Sequence, residues 1–356
     1  MKVALDGMGG DHAPDVPVDA ALAAIDELDG DLGIILTGPE DLLRAKLAER
    51  GRANEPRVEI ANASQVITMS DKAVRAIRQK RNSSLIRAVE LHRDGQAQAV
   101  VSAGHTGALM AASYIMLGLI EGVRRPTVGG LLPLGGGRFS ILLDVGANTD
   151  CKPVHLLEFG IMGTAFMEIY AKLAKPRVAL LSIGEEKTKG NEVVLAAHYL
   201  FEQSGLNFIG NLEGSDLLSG KADVLVCDGF TGNMLLKFAE SMGTMLLKQL
   251  QGISGGDKEL LGKFAQAGKS FDYAEIGGSP LLGVNGISVI CHGRSSAKAI
   301  KNAIREATIM QRGNLASALS AGVSKYDAGM FLRGMARWRS FREGREQPDM
   351  ENDSHE

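Results

Sequence analysis

Short apolar segments, nearly all of them followed by a polar motif that contains glycine, alternate with helical patterns along this 356-residue chain. Nine such segments stand at 2–6, 33–37, 58–61, 97–102, 140–145, 177–183, 207–210, 223–227 and 287–291, and helical patterns between them include 41–50, 71–79, 84–93, 156–173 and 192–203. A parallel strand pair needs a crossover connection, which is usually a helix. The alternation therefore predicts an α/β fold with a mostly parallel, doubly wound, Rossmann-like sheet.

The first strand is followed by the densest of these motifs, Asp6-Gly7-Met8-Gly9-Gly10-Asp11-His12. Pro14 and Pro17 suit the first turn of a helix, which is predicted to continue to Leu28. A strand, a glycine loop and a helix N-terminus together can bind an anion, because free N–H groups and the helix dipole point into the loop. A tight turn that only needs glycine explains the same residues, and the spacing leaves both interpretations open.

Several cofactor and metal classes fit this chain poorly. The motif Gly7-x-Gly9-Gly10 lacks the third glycine of a dinucleotide fingerprint, and the strand 33–37 ends in Thr-Gly-Pro without the acidic residue that holds a ribose. The histidines form no HxH or HxxxH pair, and Cys151, Cys227 and Cys291 form no CxxC motif, which indicates free thiols in a reducing compartment. We therefore predict no cofactor and no metal.

The charge and hydropathy of the chain predict a soluble cytoplasmic protein. A net charge of −3 argues against nucleic acid as a partner, and no run of about 20 apolar residues is present to span a bilayer. The chain opens directly into a strand, without the pattern of a signal peptide. Residues 1–340 are expected to form one catalytic α/β domain or two intertwined halves, and the acidic segment 341–356 a disordered tail.

Two motifs share the pattern Gly-x-Thr-Gly at a junction between a strand and a helix. They are Gly104-His105-Thr106-Gly107 and Gly229-Phe230-Thr231-Gly232, and they lie 125 residues apart. At such a junction backbone N–H groups and a hydroxyl converge on an anion, so both motifs are candidate phosphate sites. The repeat also gives a weak indication of two related halves.

Two charged segments offer further candidates. Arg78-Gln79-Lys80-Arg81 precedes Ser83, a predicted helix N-cap, and its cations suit phosphate, an acidic partner or simply solvent. The loop Glu185–Asn191 follows a buried strand and carries Lys187 and Lys189. These lysines could reach over a site as electrophiles, or belong to an ordinary charged loop.

The apolar spacing of Met234–Leu250 predicts a helix, followed by a turn and a second helix at 258–267, so that a helical hairpin spans about 234–270. Such a hairpin usually forms core or dimer contacts, although it could also hold an acyl chain or lie on a membrane. The loop 275–286 is rich in glycine yet is expected to expose Leu281 and Leu282, which suits an apolar ligand or a second subunit.

Eight motifs together resemble the PlsX family of bacterial phosphate acyltransferases over roughly residues 1–335. They are Asp6-Gly-Met-Gly-Gly-Asp-His-Ala-Pro14 and the segments 78–85, 102–110, 143–150, 184–191, 210–216, 227–233 and 277–293. One position departs from the family pattern, because His105 stands where asparagine is expected.

The resemblance implies a fold like that of isocitrate and isopropylmalate dehydrogenases and of phosphotransacetylase. It implies a homodimer that converts acyl-ACP (acyl carrier protein) and inorganic phosphate into acyl phosphate for phospholipid synthesis, upstream of a membrane glycerol-3-phosphate acyltransferase. Peripheral contact of the hairpin with the inner face of the cell membrane is implied as well. A phosphotransacetylase-like enzyme that uses acyl-CoA is the alternative.

Phosphate is already a nucleophile near neutral pH, so this reaction needs a phosphate nest and donors to the oxyanion more than a Ser-His pair. We assign charge stabilisation to Lys189 or Lys187, and orientation or proton transfer to Asp6, Asp11 and His12. The predicted substrate-binding residues are Gly9, Gly10, Asp11, Lys80, Ser83, Ser84, Gly104, His105, Thr106, Gly107, Asp144, Asn148, Glu186, Asn191, Asn211, Glu213, Asp228, Thr231, Gly232, Asn233, Gly278, Asn285 and His292. Arg78, Lys80 and Arg81 are the predicted docking residues for the acidic carrier.

Overall fold

Two units, each assembled from two stretches of chain, make up the computed structural model. The first unit comprises 1–120 and 237–317, and the second comprises 121–236 and 318–356. The structure describes residues 1–28, 30–253, 277–325 and 328–343.

The strands and helices follow the predicted alternation. The strands are β1 (Lys2–Asp6), β2 (Gly33–Gly38), β3 (Val58–Asn62), β4 (Ala99–Ser102), β5 (Thr127–Gly135), β6 (Arg138–Leu143), β7 (Val178–Leu181), β8 (Phe208–Leu212), β9 (Val224–Val226), β10 (Ser279–Leu282) and β11 (Ser288–Ile290). The helices are α1 (Asp15–Glu27), α2 (Glu40–Glu49), α3 (Ala73–Gln79), α4 (Ser84–Arg93), α5 (Thr106–Leu117), α6 (Pro153–Tyr170), α7 (Glu192–Glu202), α8 (Gly229–Ile253), α9 (Ala297–Arg312), α10 (Leu315–Ser324) and α11 (Ala328–Arg342).

The first unit contains the strands β3-β2-β1-β4-β11-β10 in that spatial order. Every neighbouring pair is parallel except β10 with β11. From β1 the chain continues to β2 and β3 on one side, whereas β4 lies on the other side. In an open α/β sheet such a switch point is where ligands bind, outside the carboxyl ends of the strands. The ends of β1 and β4 are therefore the first place to look for a site.

The second unit contains the strands β5-β6-β9-β7-β8, and only the β5–β6 pair is antiparallel. The predicted α/β fold with a mostly parallel sheet is thus confirmed. Two strands, β5 and β10, have no counterpart in the prediction, and the expected exposure of Leu281 and Leu282 is wrong, because both are buried in β10. Each of the two strands contains a proline, and β5 also contains paired glycines, which count against a strand when only the sequence is read.

The C-terminal helix α11 packs on α7 in the second unit. Trp338 lies against Tyr199, and Phe341 stacks on Trp338 with ring centroids 5.9 Å apart. A Cβ at Gly334 would lie 3.2 Å from the backbone of Leu200, so glycine allows the two helices to approach closely. The predicted disordered tail therefore starts too early, because Phe341 belongs to a packed helix; residues 344–356 lie outside the described part of the chain.

The first helix of the predicted hairpin is present as α8, which continues to Ile253. The second predicted helix, 258–267, and its turn lie outside the described residues. No helix within the described ranges combines the length and apolarity needed to cross a membrane.

Glu306, on α9, is fully buried beneath the first residues of the chain segment that leads into β10. Its Oε2 accepts a hydrogen bond from the Gly278 N–H at 3.2 Å, and its Oε1 has no hydrogen-bond partner among the described residues. Burial raises the pKa of Glu306 from 4.5 to about 8, so the folded protein holds this carboxyl in its neutral form at pH 7.

We expect the Glu306→Gln variant to be more stable than the parent above neutral pH. The unfolded chain releases the Glu306 proton above pH 4.5 and the folded state keeps it to about pH 8, so the free energy of unfolding falls across that interval. The amide keeps the shape and carries no such penalty, which predicts a gain of about 3 kcal/mol at pH 7.

Urea unfolding of the parent and of Glu306→Gln at pH 5 and pH 8 measures this difference. The exposed Glu121→Gln is the matched control, and its stability should follow that of the parent at both pH values. Parallel pH profiles of Glu306→Gln and the parent would show that Glu306 ionises normally in the folded protein.

Candidate active site

A buried aspartate closes the end of β1 at the switch point of the first unit. Asp6 is 2% exposed and accepts hydrogen bonds from the Ser102 hydroxyl at 2.7 Å and the Met8 N–H at 3.2 Å. Burial raises the pKa of Asp6, and hydrogen bonds from Ser84 and Ser102 offset part of that rise. A Cβ at Gly9 would lie 2.8 Å from both Asp6 Oδ2 and the Gly104 nitrogen, so the turns after β1 and β4 meet over this carboxyl.

The turn after β11 joins the same cluster. The Asp11 N–H donates to the Gly293 carbonyl at 2.8 Å, and Gly10 takes the positive φ of 108° that this contact requires. His292 lies in this turn, where its Nδ1 accepts from the Arg294 N–H at 3.1 Å. The structure therefore brings Gly9, Gly10, Asp11, Gly104 and His292 into one set of turns at the carboxyl ends of β1, β4 and β11.

His12, by contrast, is exposed beside this cluster, and no hydrogen bond from its side chain to the described residues is present. A role for His12 in orientation or proton transfer stays a prediction. Asp6 is placed to shape the turns, because Gly9 and Gly104 cover it and leave it almost no exposed surface.

The N-terminus of α5 begins next to Asp6 with a histidine cap. His105 Nδ1 accepts from the Ala108 N–H at 3.3 Å, and His105 Nε2 lies 3.0 Å from the Asp71 carbonyl oxygen, to which it donates. The ring is thus a neutral tautomer that caps the helix as an asparagine would. This explains how histidine can stand at the position where the family resemblance led us to expect asparagine.

The first backbone donors of α5 remain available to a ligand. The N–H groups of Thr106 and Gly107 have no partner among the described residues, and Thr106 is exposed. These N–H groups carry the positive end of the helix dipole. The turn Gly104–Gly107 therefore has open donors of the kind that bind phosphate, and its role as a phosphate site stays a prediction.

A second buried aspartate closes the end of β6 in the second unit. Asp144 is completely buried and accepts five hydrogen bonds. Its donors are the Thr127 hydroxyl at 3.2 Å, the N–H groups of Val128 at 3.0 Å, Ala147 at 3.2 Å and Asn148 at 2.6 Å, and the Asn148 amide at 3.0 Å. Burial raises the pKa of Asp144, and these donors counteract the rise. Asp144 and Asn148, both predicted to bind substrate, thus direct their polar atoms into the turn itself.

The glycines of the second Gly-x-Thr-Gly motif lie directly on this turn. A Cβ at Gly229 would be 2.6 Å from Asp144 Oδ2, and one at Gly232 would be 1.9 Å from the Asp144 carbonyl oxygen. Each unit therefore has a buried aspartate at a strand end, covered by a glycine turn from the parallel neighbouring strand. This shared arrangement extends the short sequence repeat into a repeat of local structure.

The N-terminus of α8 differs from that of α5 because a carboxylate already occupies it. Asp228 accepts from the Thr231 N–H and from the Thr231 hydroxyl, both at 2.9 Å, and the Gly229 N–H donates to the Asn148 carbonyl at 2.8 Å. Several donors of this turn are therefore used, and a phosphate would meet a like charge. Of the two candidate nests, the α5 N-terminus suits phosphate better. Asn233 is exposed one residue beyond Gly232.

The loop between β7 and α7 carries the two candidate lysines on a hydrogen-bonded support. The Lys189 N–H and the Asn211 amide both donate to the Glu186 carbonyl oxygen, each at 3.0 Å. Asn211 Oδ1 in turn lies 3.0 Å from His198 Nδ1, and both residues are buried. Asn191 ends the loop by capping α7 through the Val194 N–H at 2.9 Å. Asn191 and Asn211 thus hold the loop in place.

The two lysines differ in their surroundings. A hydrogen bond from His198 is the main cause that lowers the pKa of Glu202, and the charge of Lys187 lowers this pKa further. Lys187 therefore already interacts with a carboxylate. Lys189 is exposed, its aliphatic chain covers Gly184, and no carboxylate within the described ranges forms an ion pair with it. Lys189 is therefore the better candidate for a cation that acts on a ligand.

Several other predicted binding residues serve local structure. Lys80 Nζ lies 2.6 Å from Asp71 Oδ2 and 2.9 Å from the Val66 carbonyl oxygen, and Ser83 caps α4 as predicted. Ser84 is buried, Glu213 caps the short turn Gly214–Asp216, Gly278 donates to Glu306, and Asn285 donates its N–H to Gly118. Arg78 and Arg81 are exposed.

The sequence reasoning missed Ser102, His198 and Asp71, which support Asp6, Asn211 and His105. Ser102 could have been noticed as the last residue of a strand that ends in a glycine motif. The other two contacts join residues on different elements that lie apart in sequence, and no pattern indicates them. The cysteines are poor nucleophiles here, since burial raises the pKa of Cys151 to about 12 and raises those of Cys227 and Cys291 as well.

The amino-acid sequence is similar to a known protein family and to several of its members. A family model described as "Fatty acid synthesis protein" matches residues 1–318. A phosphate acyltransferase of Pelotomaculum thermopropionicum is 51% identical over 317 residues, covering 86% of this chain and 90% of the relative. A phosphate acyltransferase of Trichlorobacter lovleyi is 43% identical over 340 residues, covering 94% of this chain and 97% of the relative.

Solved structures share the fold at much lower identity. EutD phosphotransacetylase from Staphylococcus aureus is 16% identical with a TM-score of 0.57, covering 89% of this chain and 94% of that chain. A branched-chain phosphotransacylase from Enterococcus faecalis is 18% identical with a TM-score of 0.56, covering 87% of this chain and 99% of that chain. The expected likeness to the phosphotransacetylase fold is thus confirmed.

Proposed function

We propose that this chain, a member of the fatty acid synthesis protein family that contains the phosphate acyltransferases, takes a long fatty acyl group from acyl carrier protein. It is an acyltransferase that makes acyl phosphate. The carrier as donor follows from the resemblance of the eight motifs. The observation that supports a phosphate acceptor is the open N-terminus of α5, where Thr106 and Gly107 present N–H groups beside a neutral cap.

The chemistry requires little beyond positioning and charge. A phosphate oxygen attacks the thioester carbonyl carbon, the C–O bond forms, and the C–S bond breaks. The proton of hydrogenphosphate ends on the departing thiolate, so the products are acyl phosphate and the free carrier thiol. The N–H groups of Thr106 and Gly107 are proposed to hold phosphate, and Lys189 to stabilise the negative charge that develops.

The resemblance supports three further proposals about partners. The protein is proposed to act as a homodimer, to contact the inner face of the cell membrane peripherally, and to supply acyl phosphate to a membrane glycerol-3-phosphate acyltransferase. On α8 the exposed side chains Phe230, Met234 and Phe238 follow one another at helical spacing. They provide apolar surface for the proposed contact with the membrane.

One assay tests the donor and the acceptor together. The purified protein is mixed with palmitoyl carrier protein, with or without phosphate, and the free carrier thiol is titrated. We expect thiol release that depends on phosphate, with a lower rate for palmitoyl-CoA at equal concentration. Release from acyl-CoA alone would favour the phosphotransacetylase-like alternative, and no release from either donor would contradict the proposed function.

A further inference from the structure

We infer that the exposed face of α3 is the docking surface for the acidic acyl carrier, an inference that rests on the proposed function. Lys72, Arg75 and Arg78 recur at intervals of three residues, so they lie on one face of the helix, and Arg81 follows its end. All four side chains are exposed. We call Met69, Lys72, Val74, Arg75, Arg78 and Arg81 the α3 surface.

The α3 surface has an apolar component as well as a charge. Met69 is 67% exposed and Val74 is 53% exposed. Val74 lies in an open groove of about 540 Å³ whose other lining residues are Lys72, Ala73, Arg75, Arg78 and Gln79. Apolar side chains surrounded by cations suit a partner helix with an apolar strip and acidic flanks, since charge steers the encounter and apolar contact holds the complex.

The four cations of the α3 surface are not paired with acidic side chains of the described residues. The acidic residue closest to them in sequence is Asp71, and its carboxylate is paired with Lys80, whose hydrogen bond holds the pKa of Asp71 at about 2. Lys80 is thereby occupied, and the docking set predicted from the sequence changes: Lys72 and Arg75 join Arg78 and Arg81. No carboxylate within the described ranges forms an ion pair with these four residues.

The location of the α3 surface connects it to the candidate phosphate site. His105, the cap of α5, donates to the carbonyl of Asp71, and a Cβ at Gly107 would lie 3.4 Å from the Ala73 Cβ. The α3 surface thus begins directly beside the N–H groups of Thr106 and Gly107. A carrier bound there would bring its thioester arm to the turn that is proposed to hold phosphate.

An anionic membrane is the other class of partner with this charge. Interfacial helices present a large apolar face, whereas α3 has seven residues and the α3 surface exposes two apolar side chains, Met69 and Val74. The position beside the α5 N-terminus would let a docked carrier deliver its thioester to the candidate phosphate site, whereas binding to a lipid surface requires no such position. The observations therefore favour the carrier.

The test is the Lys72→Glu/Arg75→Glu variant, assayed for thiol release from palmitoyl carrier protein and from palmitoyl-N-acetylcysteamine, a small donor without a protein part. We expect the KM for the carrier substrate to rise at least tenfold, with little change in kcat, and activity on the small donor to match the parent. In the parent, raising the salt concentration should raise the same KM, because exposed charges are screened.

The matched control is Arg44→Glu/Arg93→Glu, which makes the same change in net charge at exposed positions of the same unit and should leave both activities unchanged. An equal KM of both double variants for the carrier substrate would overturn the inference, as would a loss of binding to anionic vesicles without any effect on the carrier. Absence of phosphate-dependent release from both donors in the parent would instead contradict the proposed function.

Discussion

Replacing Lys189 with alanine is expected to lower kcat for acyl transfer to phosphate by about 10²–10³-fold, while the protein remains folded. Lys189 is exposed, and its ammonium group forms no ion pair within the described ranges, so its removal leaves no buried charge behind. A cation that acts on charge developing in the transition state contributes an effect of this size. Steady-state kinetics with palmitoyl carrier protein, together with a thermal unfolding curve, measures both parts of the prediction.

Lys187→Ala is the matched control for this prediction, since it removes the same charge from the same loop. Lys187 lies within the electrostatic reach of Glu202, so we expect its removal to change stability slightly and kcat much less than the Lys189 variant does. Lys189→Arg should recover part of the activity, because it restores the charge with a different shape. Near-parent activity of Lys189→Ala would remove this residue from the mechanism.

Replacing Gly232 with alanine is expected to destabilise the second unit by about 3 kcal/mol or more. The new Cβ would lie 1.9 Å from the Asp144 carbonyl oxygen and 3.0 Å from Cys227 Sγ, so the N-terminus of α8 must move away from the turn that Asp144 organises. Overpacking against backbone in a buried site is among the few mechanisms that give such large effects. Chemical unfolding followed by circular dichroism measures the loss.

Gly243→Ala provides the control on the same helix. No atom lies within 4 Å of a Cβ at Gly243, and alanine is the better helix former by about 1 kcal/mol, so this variant should be as stable as the parent or more stable. Equal stabilities of the two alanine variants would show that α8 is not held against Asp144 as the structure indicates.

The parts of the fold that a local pattern encodes could be predicted. Apolar segments such as Val178–Leu181 are buried on both sides in a parallel sheet, and a continuous run of aliphatic residues is typical of that environment. The strands β5 and β10 escaped prediction, because their antiparallel pairing accommodates glycine and proline that count against a strand. The acidic residues that follow Phe341 predict a tail, whereas in the structure its ring packs on Trp338.

The candidate site was predictable in its place and much less in its roles. Glycine motifs at strand ends pointed to the turns around Asp6, since parallel strands bring their carboxyl ends to one edge of a sheet. The side-chain roles depend on partners that are distant in sequence. Ser102 lies 96 residues from Asp6, and Lys80 is withdrawn from the docking set only because it reaches Asp71.

The sequence by itself determined the α/β class and the family to which the chain belongs, and it placed the candidate site at the strand ends, because each is carried by residues close together along the chain. The tertiary structure decided which of two similar Gly-x-Thr-Gly turns offers more open backbone donors to an anion. The first donors of α5 are open beside the uncharged cap His105, whereas at α8 the Gly229 N–H already donates to the Asn148 carbonyl and the cap Asp228 carries a charge of the wrong sign. The contact between Gly229 and Asn148 joins residues distant along the chain, which sequence spacing does not specify.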